Sequence, residues 1–254
     1  MKIGICSTIE NINKVEELGY DYIELPVTAV VSLSEKEFEV TLERVKNSKI
    51  KCEAFNILFP KDVRLVGNNV NNTAVTEYIA IAMKRVSLLG GKIIVFGSGG
   101  ARRCPENWDP DVAWKQLRDT CIKLGDEAAK YDITIVIEPL NKGESNIVNS
   151  VSEGLKFVKD ISHPNIKLLA DFYHMRIENE SMDIIKEAGK YLKHCHIANS
   201  HGRGFPLAYD EDDYEIFLDA LESINYEGNL SIEGITLQFD IEASLSLKLL
   251  KNSK

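Results

Sequence analysis

The sequence contains few of the features that mark secreted or membrane proteins. It has five cysteines in 254 residues, an odd number, and no Cys-X-X-Cys pair, so a disulfide framework is not expected. Its N-terminus lacks the charged and then apolar pattern of a signal peptide, and no apolar run approaches the roughly 20 residues that span a bilayer. We therefore expect a cytoplasmic protein without a membrane partner.

The chain also has no recognisable linker and no excess of positive charge. No Pro-, Ser- or Gly-rich run, charge block or low-complexity tract divides it, so residues 1–254 are predicted to form one domain. Lysine and arginine number 30 against 39 aspartates and glutamates, which gives a formal net charge of −9. Because an acidic surface repels the phosphate backbone, nucleic acid is not expected as a partner.

What the chain does contain is an alternation of short apolar stretches and longer amphipathic ones, repeated eight times. Alternating strands and helices are typical of a parallel sheet, and eight such units in about 250 residues predict an α/β fold, a single (β/α)8 TIM barrel. The alternative, an open doubly wound sheet, usually has a glycine-rich turn after its first strand. Residues 7–10, which follow the first predicted strand, contain no glycine, and this favours the barrel.

Residues able to bind a metal stand at the ends of four consecutive predicted strands, the fifth to the eighth. They are Glu138, Asp171, His196 and Glu233. A buried charge is costly unless something neutralises it, and the carboxyl ends of barrel strands are where such enzymes build their sites. We therefore predict that these side chains bind one divalent cation. Three carboxylates and one imidazole suit Mg²⁺, Mn²⁺ or Co²⁺ better than a structural zinc.

Two further histidines lie close to these strand ends. His174 is three residues beyond Asp171, where it either contacts a substrate oxygen beside the metal or bonds to the loop backbone. His194 is two residues before His196. Because strand side chains alternate between faces, His194 is predicted to lie on the same face one layer deeper in the barrel.

Arginines in two loops are candidates for contacts with a sugar hydroxyl or a phosphate. Residues 97–100 resemble a phosphate cradle but match neither the Walker pattern nor G-x-G-x-x-G, and we interpret the stretch as a tight turn followed by Arg102 and Arg103. Arg203 lies between two glycines in the loop after the seventh strand. It follows His196 closely, which makes it the stronger candidate, the alternative being a solvated loop arginine.

Four motifs resemble those of a known family: Glu138-Pro-Leu-Asn141, Ala170-Asp171-Phe-Tyr-His174, His194-Cys-His196-Ile-Ala and Ser231-Ile-Glu233-Gly. The chain resembles the xylose-isomerase-like (AP endonuclease family 2) TIM-barrel superfamily, and within it the sugar phosphate isomerase/epimerase family that includes the ketose 3-epimerases. The resemblance implies one divalent metal, Mn²⁺ foremost and Mg²⁺, Co²⁺ or Zn²⁺ otherwise, held by Glu138, Asp171, His196 and Glu233. It also implies substrate contacts from Glu144, His174 and Arg203.

The expected activity follows from this resemblance. A ketose 3-epimerase acting on a sugar or sugar phosphate would use Glu138 and Glu233 as acid and base on opposite faces of the substrate. A metal-stabilised enediolate would form between the two proton transfers. Phe55 and Trp108 approximate the aromatic walls that such epimerases place around the mouth of the barrel. Homo-oligomerisation is left open.

Other functions on the same scaffold are alternatives. A 1,2-aldose–ketose isomerase or a keto-inositol dehydratase would use the same parts. An apurinic/apyrimidinic endonuclease-type phosphodiesterase belongs to another class, and its trinuclear zinc site needs further histidines. The sequence has Asn56, Ser98 and Tyr209-Asp210 in those regions, which favours one metal. A catalytically idle barrel that binds a metal or a sugar is the third alternative.

Overall fold

The computed structural model describes residues 1–252 and contains a closed barrel of eight parallel strands in sequential order, β1 to β8. Each strand pairs with its neighbour in sequence, and β8 closes the barrel on β1. The predicted (β/α)8 fold is therefore confirmed. The strands are β1 Lys2–Cys6, β2 Tyr22–Pro26, β3 Lys51–Asn56, β4 Ile93–Phe96, β5 Thr134–Ile137, β6 Ile166–Asp171, β7 Leu192–Ile197 and β8 Asn229–Ile232.

The helices surround this barrel and connect successive strands. They are α1 Ile12–Leu18, α2 Val27–Ser32, α3 Glu35–Asn47, α4 Asn72–Leu88, α5 Gly99–Arg102, α6 Pro110–Ala129, α7 Val151–Ile161, α8 Phe172–Ile177, α9 Ile184–Ala188, α10 Tyr214–Ser223 and α11 Phe239–Lys251. The short helices α2, α5 and α8 follow strand ends and are not evident from the sequence pattern. No helix within residues 1–252 combines the length and the apolar character needed to cross a membrane.

Local sequence explains where the long helices begin. The Ser34 hydroxyl accepts the Glu37 backbone N–H, and the Glu37 carboxylate accepts the Ser34 N–H at 2.8 Å, which forms a capping box before α3. Helix α6 begins at Pro110, which has no N–H to leave unpaired. The Asp109 carboxylate accepts the Asp111 N–H there at 2.8 Å. These caps fix the helix starts that set the lengths of the loops at the barrel rim.

Strand side chains divide between two apolar layers. Val95, Val136 and Leu169 form a small cluster of their own, whereas Ile135 and Ile137 belong to the main core. Because neighbouring residues in a strand face opposite sides, the small cluster fills the barrel interior and the main core lies between strands and helices. Apolar packing of both faces explains the near-continuous hydrophobic strands of the sequence.

The interior on the β1–β2 side holds a tyrosine in place of aliphatic side chains. Tyr22 is fully buried, and its hydroxyl is 2.6 Å from the Ser231 hydroxyl. Its ring occupies the space beside Gly4, where a Cβ atom would lie 2.2 Å from the ring. A larger residue at position 4 would displace Tyr22, so glycine is required by this close approach.

Arg102 ties two strand ends together beneath the rim. Its guanidinium is fully buried and donates to the backbone carbonyls of Phe96 at 3.2 Å, Glu138 at 2.7 Å and Val148 at 3.4 Å. Burial lowers the pKa of Arg102 to about 10, so it stays charged at neutral pH. The sequence-based expectation that Arg102 contacts a sugar is wrong, because carbonyl groups of the chain already occupy it.

Replacing Arg102 with methionine should therefore destabilise the protein. The change removes a donor from three buried carbonyl groups. Two of them keep a backbone N–H donor, whereas the Glu138 carbonyl loses the one donor that the described residues give it, at a cost of about 1–3 kcal/mol. We expect the free energy of unfolding in urea to fall by about 1–3 kcal/mol. The matched control is Arg103→Met, since Arg103 is exposed and donates only to the Gly143 carbonyl among the described residues. An equal fall in the free energy of unfolding for both variants would contradict a stabilising role for the Arg102 hydrogen bonds.

Candidate active site

The structure brings the four strand-end residues together at the carboxyl end of the barrel. Glu138 follows β5, Asp171 ends β6, His196 lies near the end of β7, and Glu233 follows β8. One ligand atom from each lies within 4.8 Å of the others. Glu138, Asp171 and His196 are buried and Glu233 is partly buried. Parallel strands at matching heights explain this convergence, since Asp171 pairs in register with His196.

The imidazole of His196 is oriented by a carboxylate on the far side of its ring. His196 Nε2 lies 3.0 Å from Glu24 Oε1, while Nδ1 lies 3.3 Å from Glu138 Oε1 and 3.4 Å from Glu233 Oε2. A hydrogen bond from Nε2–H to Glu24 leaves Nδ1 as the nitrogen that faces the cluster. This is the usual arrangement for a metal-binding histidine, whose other N–H is donated to a carboxylate.

Glu24 is the functional residue that sequence reasoning missed. It is fully buried in β2, and it also accepts hydrogen bonds from His194 Nε2 at 2.8 Å and from the Ser231 hydroxyl at 2.5 Å. Burial alone would raise the pKa of Glu24, but His196 and His194 hold it well below its ordinary value. The feature of the sequence that could have indicated this role is a carboxylate within an otherwise apolar strand. The deeper position predicted for His194 is confirmed.

The clustered charges shift one another's proton affinities in opposite directions. Burial raises the pKa of Glu138, and burial also raises the pKa of Asp171 to about 6. Burial opposes ionisation of Glu233 as well, but His196 and Arg203 outweigh it and lower the pKa of Glu233 to about 2. Glu24 and Glu233 likewise outweigh burial and raise the pKa of His196 well above its ordinary value.

The opposing pKa shifts of the carboxylates and of His196 bear on whether these residues could bind a metal ion. The carboxylates raise the pKa of His196, and a divalent cation bound at Nδ1 would take the place of a proton there. Buried polar atoms without a hydrogen-bond partner in residues 1–252 include Asp171 Oδ2, His174 Nε2 and Asn56 Oδ1. Buried polar atoms are normally paired. The unpaired atoms at this site are therefore suited to contact a bound ion or substrate. The donor set and these atoms together fit one divalent cation.

His174 lies beside Asp171, which its Nε2 atom faces, and its Nδ1 atom is held by hydrogen bonds. Its Nδ1 accepts the Asn141 backbone N–H at 3.2 Å and is 2.9 Å from the Asn141 amide nitrogen, so the ring proton resides on Nε2. That nitrogen is 3.5 Å from Asp171 Oδ2. Burial lowers the pKa of His174, which favours the neutral form. The predicted bond to loop backbone is observed at Nδ1, whereas Nε2 faces the cluster, where contact with a substrate oxygen stays a prediction.

Arg203 and Glu144 also reach this region, from loops. Arg203 donates to Glu233 Oε2 at 2.6 Å and to Glu144 Oε1 at 3.1 Å, and its guanidinium lies 4.8 Å from the centre of the Tyr173 ring. It adopts φ 59° between flexible glycine neighbours. Asn56 donates to Glu233 Oε1 at 2.8 Å. Glu233 is thus fixed through both carboxylate oxygens.

A cleft of about 680 Å³ opens above these residues. Its lining includes Phe59, whereas Phe55 and Trp108 are absent from it. Phe55 is fully buried and packs beside Gly91 outside the barrel, and the Trp108 indole N–H donates to Gln116 at 3.2 Å. The expectation that Phe55 and Trp108 form aromatic walls is therefore wrong.

The glycine-rich stretch after β4 turns the chain at Gly97 and Ser98 and then enters the short helix α5, so the predicted tight turn is observed only in its first half. Ser98 adopts φ 41° and accepts the Phe59 N–H at 2.9 Å. A Cβ atom on Gly97 would lie 2.1 Å from Glu138 Oε2, so glycine at this position allows the Glu138 carboxylate its place. The turn therefore makes room for a residue of the cluster.

Comparison with known proteins agrees with this architecture. The family model described as "Xylose isomerase-like TIM barrel" matches residues 12–251. The chain is 32% identical over 249 residues to L-ribulose 3-epimerase of Mesorhizobium japonicum, an alignment that covers 85% of this chain and 82% of the relative.

Solved structures share the fold at lower identity. A crystal structure of D-psicose 3-epimerase in the presence of D-fructose aligns with a TM-score of 0.88 at 23% identity and covers 99% of this chain and 98% of that one. The IOLI protein with a binding zinc atom aligns with a TM-score of 0.76 at 20% identity, covering 100% and 98%. On the family match over residues 12–251 and the relative aligned over most of both chains, the chain belongs to the xylose isomerase-like TIM-barrel family.

Proposed function

We propose that this chain is a divalent-metal-dependent ketose 3-epimerase. The observation that carries the proposal is that Glu138 Oε1 and Glu233 Oε2 lie 3.3 and 3.4 Å from His196 Nδ1, in one cluster with Asp171. Two carboxylates at one centre provide the acid and the base that inversion of a carbon requires. A relative over most of the chain's length is an L-ribulose 3-epimerase, which supports a ketose as the substrate.

The cation would be held by Glu138, Asp171, His196 and Glu233. This oxygen-rich set favours Mn²⁺, Mg²⁺ or Co²⁺, and the zinc atom of the IOLI structure keeps Zn²⁺ among the alternatives. A bound divalent cation supplies a Lewis acid that polarises sugar oxygens and favours the enediolate. Glu24 would hold the His196 ring so that Nδ1 faces the cation.

The two glutamates would then move the proton. One takes the proton from C3 of the ketose, which leaves the enediolate, and the other returns a proton to the opposite face of the same carbon. The environments of the two groups differ, since the pKa of Glu138 is raised by burial and that of Glu233 is lowered to about 2. Groups whose pKa values are pushed apart are suited to distinct acid and base roles.

Substrate contacts would come from three residues around the cluster. The His174 Nε2–H has no hydrogen-bond partner in residues 1–252 and is available to a sugar oxygen. Glu144 is exposed at the cleft, and Arg203 joins it to Glu233. Together they would hold the sugar with its C3–H bond between the two glutamates, which is the orientation on which the rate depends.

The phosphodiesterase alternative gains no support from the contacts at its expected extra ligand positions. Asn56 donates to Glu233, and the Ser98 hydroxyl accepts a backbone N–H from Phe59. Neither residue offers a nitrogen lone pair to a second or third zinc ion. One cation therefore remains the better fit to this set of residues.

Conversion of either glutamate to glutamine should abolish epimerisation. Glu138→Gln and Glu233→Gln each remove one proton carrier, and we expect turnover to fall by about 10²–10⁴-fold. The measurement is deuterium incorporation at C3 of D-fructose and D-ribulose in D₂O with added Mn²⁺. The control is Glu187→Gln, an exposed residue of α9. Activity that survives both active-site changes would rule out the two-carboxylate mechanism.

Metal removal should lower thermal stability, and restoring the metal should recover it. At 100 times its Kd a bound ion stabilises the fold by about 2.7 kcal/mol, so we expect Mn²⁺ to raise the Tm of chelator-treated protein by about 5–10 °C. Asp171→Asn should remove this shift by deleting one anionic ligand. A full shift in that variant would exclude Asp171 from the metal site.

Glu24→Gln should weaken metal binding although Glu24 does not face the cluster. The amide no longer fixes the proton on His196 Nε2, and loss of such a partner typically costs 10–100-fold in metal affinity. Calorimetric titration with Mn²⁺ measures the Kd. Glu53→Gln is the control, because Glu53 pairs with Lys2 near the opposite end of the barrel. An unchanged Kd for Glu24→Gln would show that the ring is oriented by other contacts.

A further inference from the structure

Lys61 lies at the rim of the cleft that contains the glutamates. It belongs to the loop between β3 and α4 and lines the same cleft as Glu138 and Glu233. Its ammonium forms no ion pair and no hydrogen bond with any residue in the range 1–252, and the adjacent Asp62 does not pair with it. An exposed, unpaired lysine that lines the cleft, in a chain of net charge −9, is available to a ligand.

The loop that carries Lys61 is fixed against the turn after β4. Arg64 donates to the Lys61 carbonyl at 3.0 Å and to the Gly100 carbonyl at 2.9 Å. The Leu65 N–H donates to the Ala101 carbonyl at 3.0 Å. These contacts hold the backbone of Lys61 in place, so that binding a ligand has to order only its side chain, at a cost in conformational entropy.

The other cation of the cleft is already engaged. Arg203 is bound between Glu233 and Glu144 at 2.6 and 3.1 Å. An anionic group near the cluster would meet three carboxylates, whereas one near Lys61 meets an uncompensated positive charge. The cleft volume of about 680 Å³ lies within the range of about 300–1,000 Å³ for small-molecule sites. A ketose with an added anionic group fits such a space.

We propose that the substrate is a ketose that bears an anionic group, a phosphate or a carboxylate, at the end remote from its metal-binding oxygens, and that Lys61 Nζ binds this group. Lysine binds phosphate as a compact point charge. The inference rests on the proposed epimerase function and specifies its substrate class. Chemistry occurs at Glu138 and Glu233, and Lys61 contributes only to binding.

The kinetic test compares three ketoses that differ at C6: D-fructose, D-fructose 6-phosphate and D-fructuronate. With wild-type protein and Mn²⁺ we expect kcat/KM to be at least about tenfold higher for one of the anionic sugars than for D-fructose. The phosphate and carboxylate arms identify which anion is preferred. Lys61→Met should raise KM for that sugar about tenfold with little change in kcat, and Lys61→Arg should restore much of the loss.

The matched control is Lys51→Met, because Lys51 is exposed at the start of β3, at the other end of the barrel. This variant should change neither kcat nor KM for any of the three sugars by more than about twofold. D-Fructose should be handled alike by wild type and Lys61→Met, since it lacks the anion. Equal KM values for the anionic sugars in wild type and Lys61→Met would overturn the inference while the epimerase proposal stood.

A binding measurement separates this inference from failure of the proposed reaction. Calorimetric titration of D-fructose 6-phosphate and of D-fructuronate into Mn²⁺-loaded wild type and Lys61→Met requires no turnover. A Kd about tenfold weaker in the variant supports the role of Lys61 even if no C3 exchange occurs. Equal Kd values in the two proteins, or no binding of either sugar, reject it.

Discussion

The crowding of three carboxylates around one imidazole is the constraint on which the rest of this structure depends. Glu138, Asp171 and Glu233 place ligand atoms within 4.8 Å of one another, and like charges at that separation in a buried site cannot all remain ionised without compensation. The compensation comes from His196, whose pKa the carboxylates raise, and from Arg203, which lies 2.6 Å from Glu233. A bound cation would strengthen the same compensation.

The barrel supplies the rigidity that such an arrangement needs. Asp171 and His196 pair across neighbouring strands, and His196 pairs with Ser231 on the next, so the heights of these side chains are set by backbone register. Glu24 then links the layers, since it bonds to the side chains of both His196 and Ser231. Misplacing one strand by one residue would turn its ligand to the outer face. The site is therefore as stable as the sheet itself.

The strand-end residues could be predicted from the sequence because fold and position are linked. Once eight strand–helix units are recognised, polar groups at consecutive strand ends must converge. The role of Glu24 was not predicted, because its partners His194 and His196 lie 170 and 172 residues away in sequence. They come into contact with Glu24 only when the barrel closes. Phe55 was misassigned because Asn56 faces Glu233, and alternation then turns Phe55 to the helices. Burial of Arg102 follows from tertiary packing that no local pattern records.

Reaction and specificity are divided between strands and loops. The groups proposed to move the proton stand at strand ends, and the buried hydrogen bonds of Glu24 and the Arg102 guanidinium fix their surroundings. Lys61 and Arg203 stand on loops, which accept sequence change more readily than strands do. At 32% identity to a 3-epimerase over most of the chain, loop residues are where a different sugar would be selected. The strand-end cluster therefore argues for the class of reaction, and the unpaired lysine at the rim argues for the substrate.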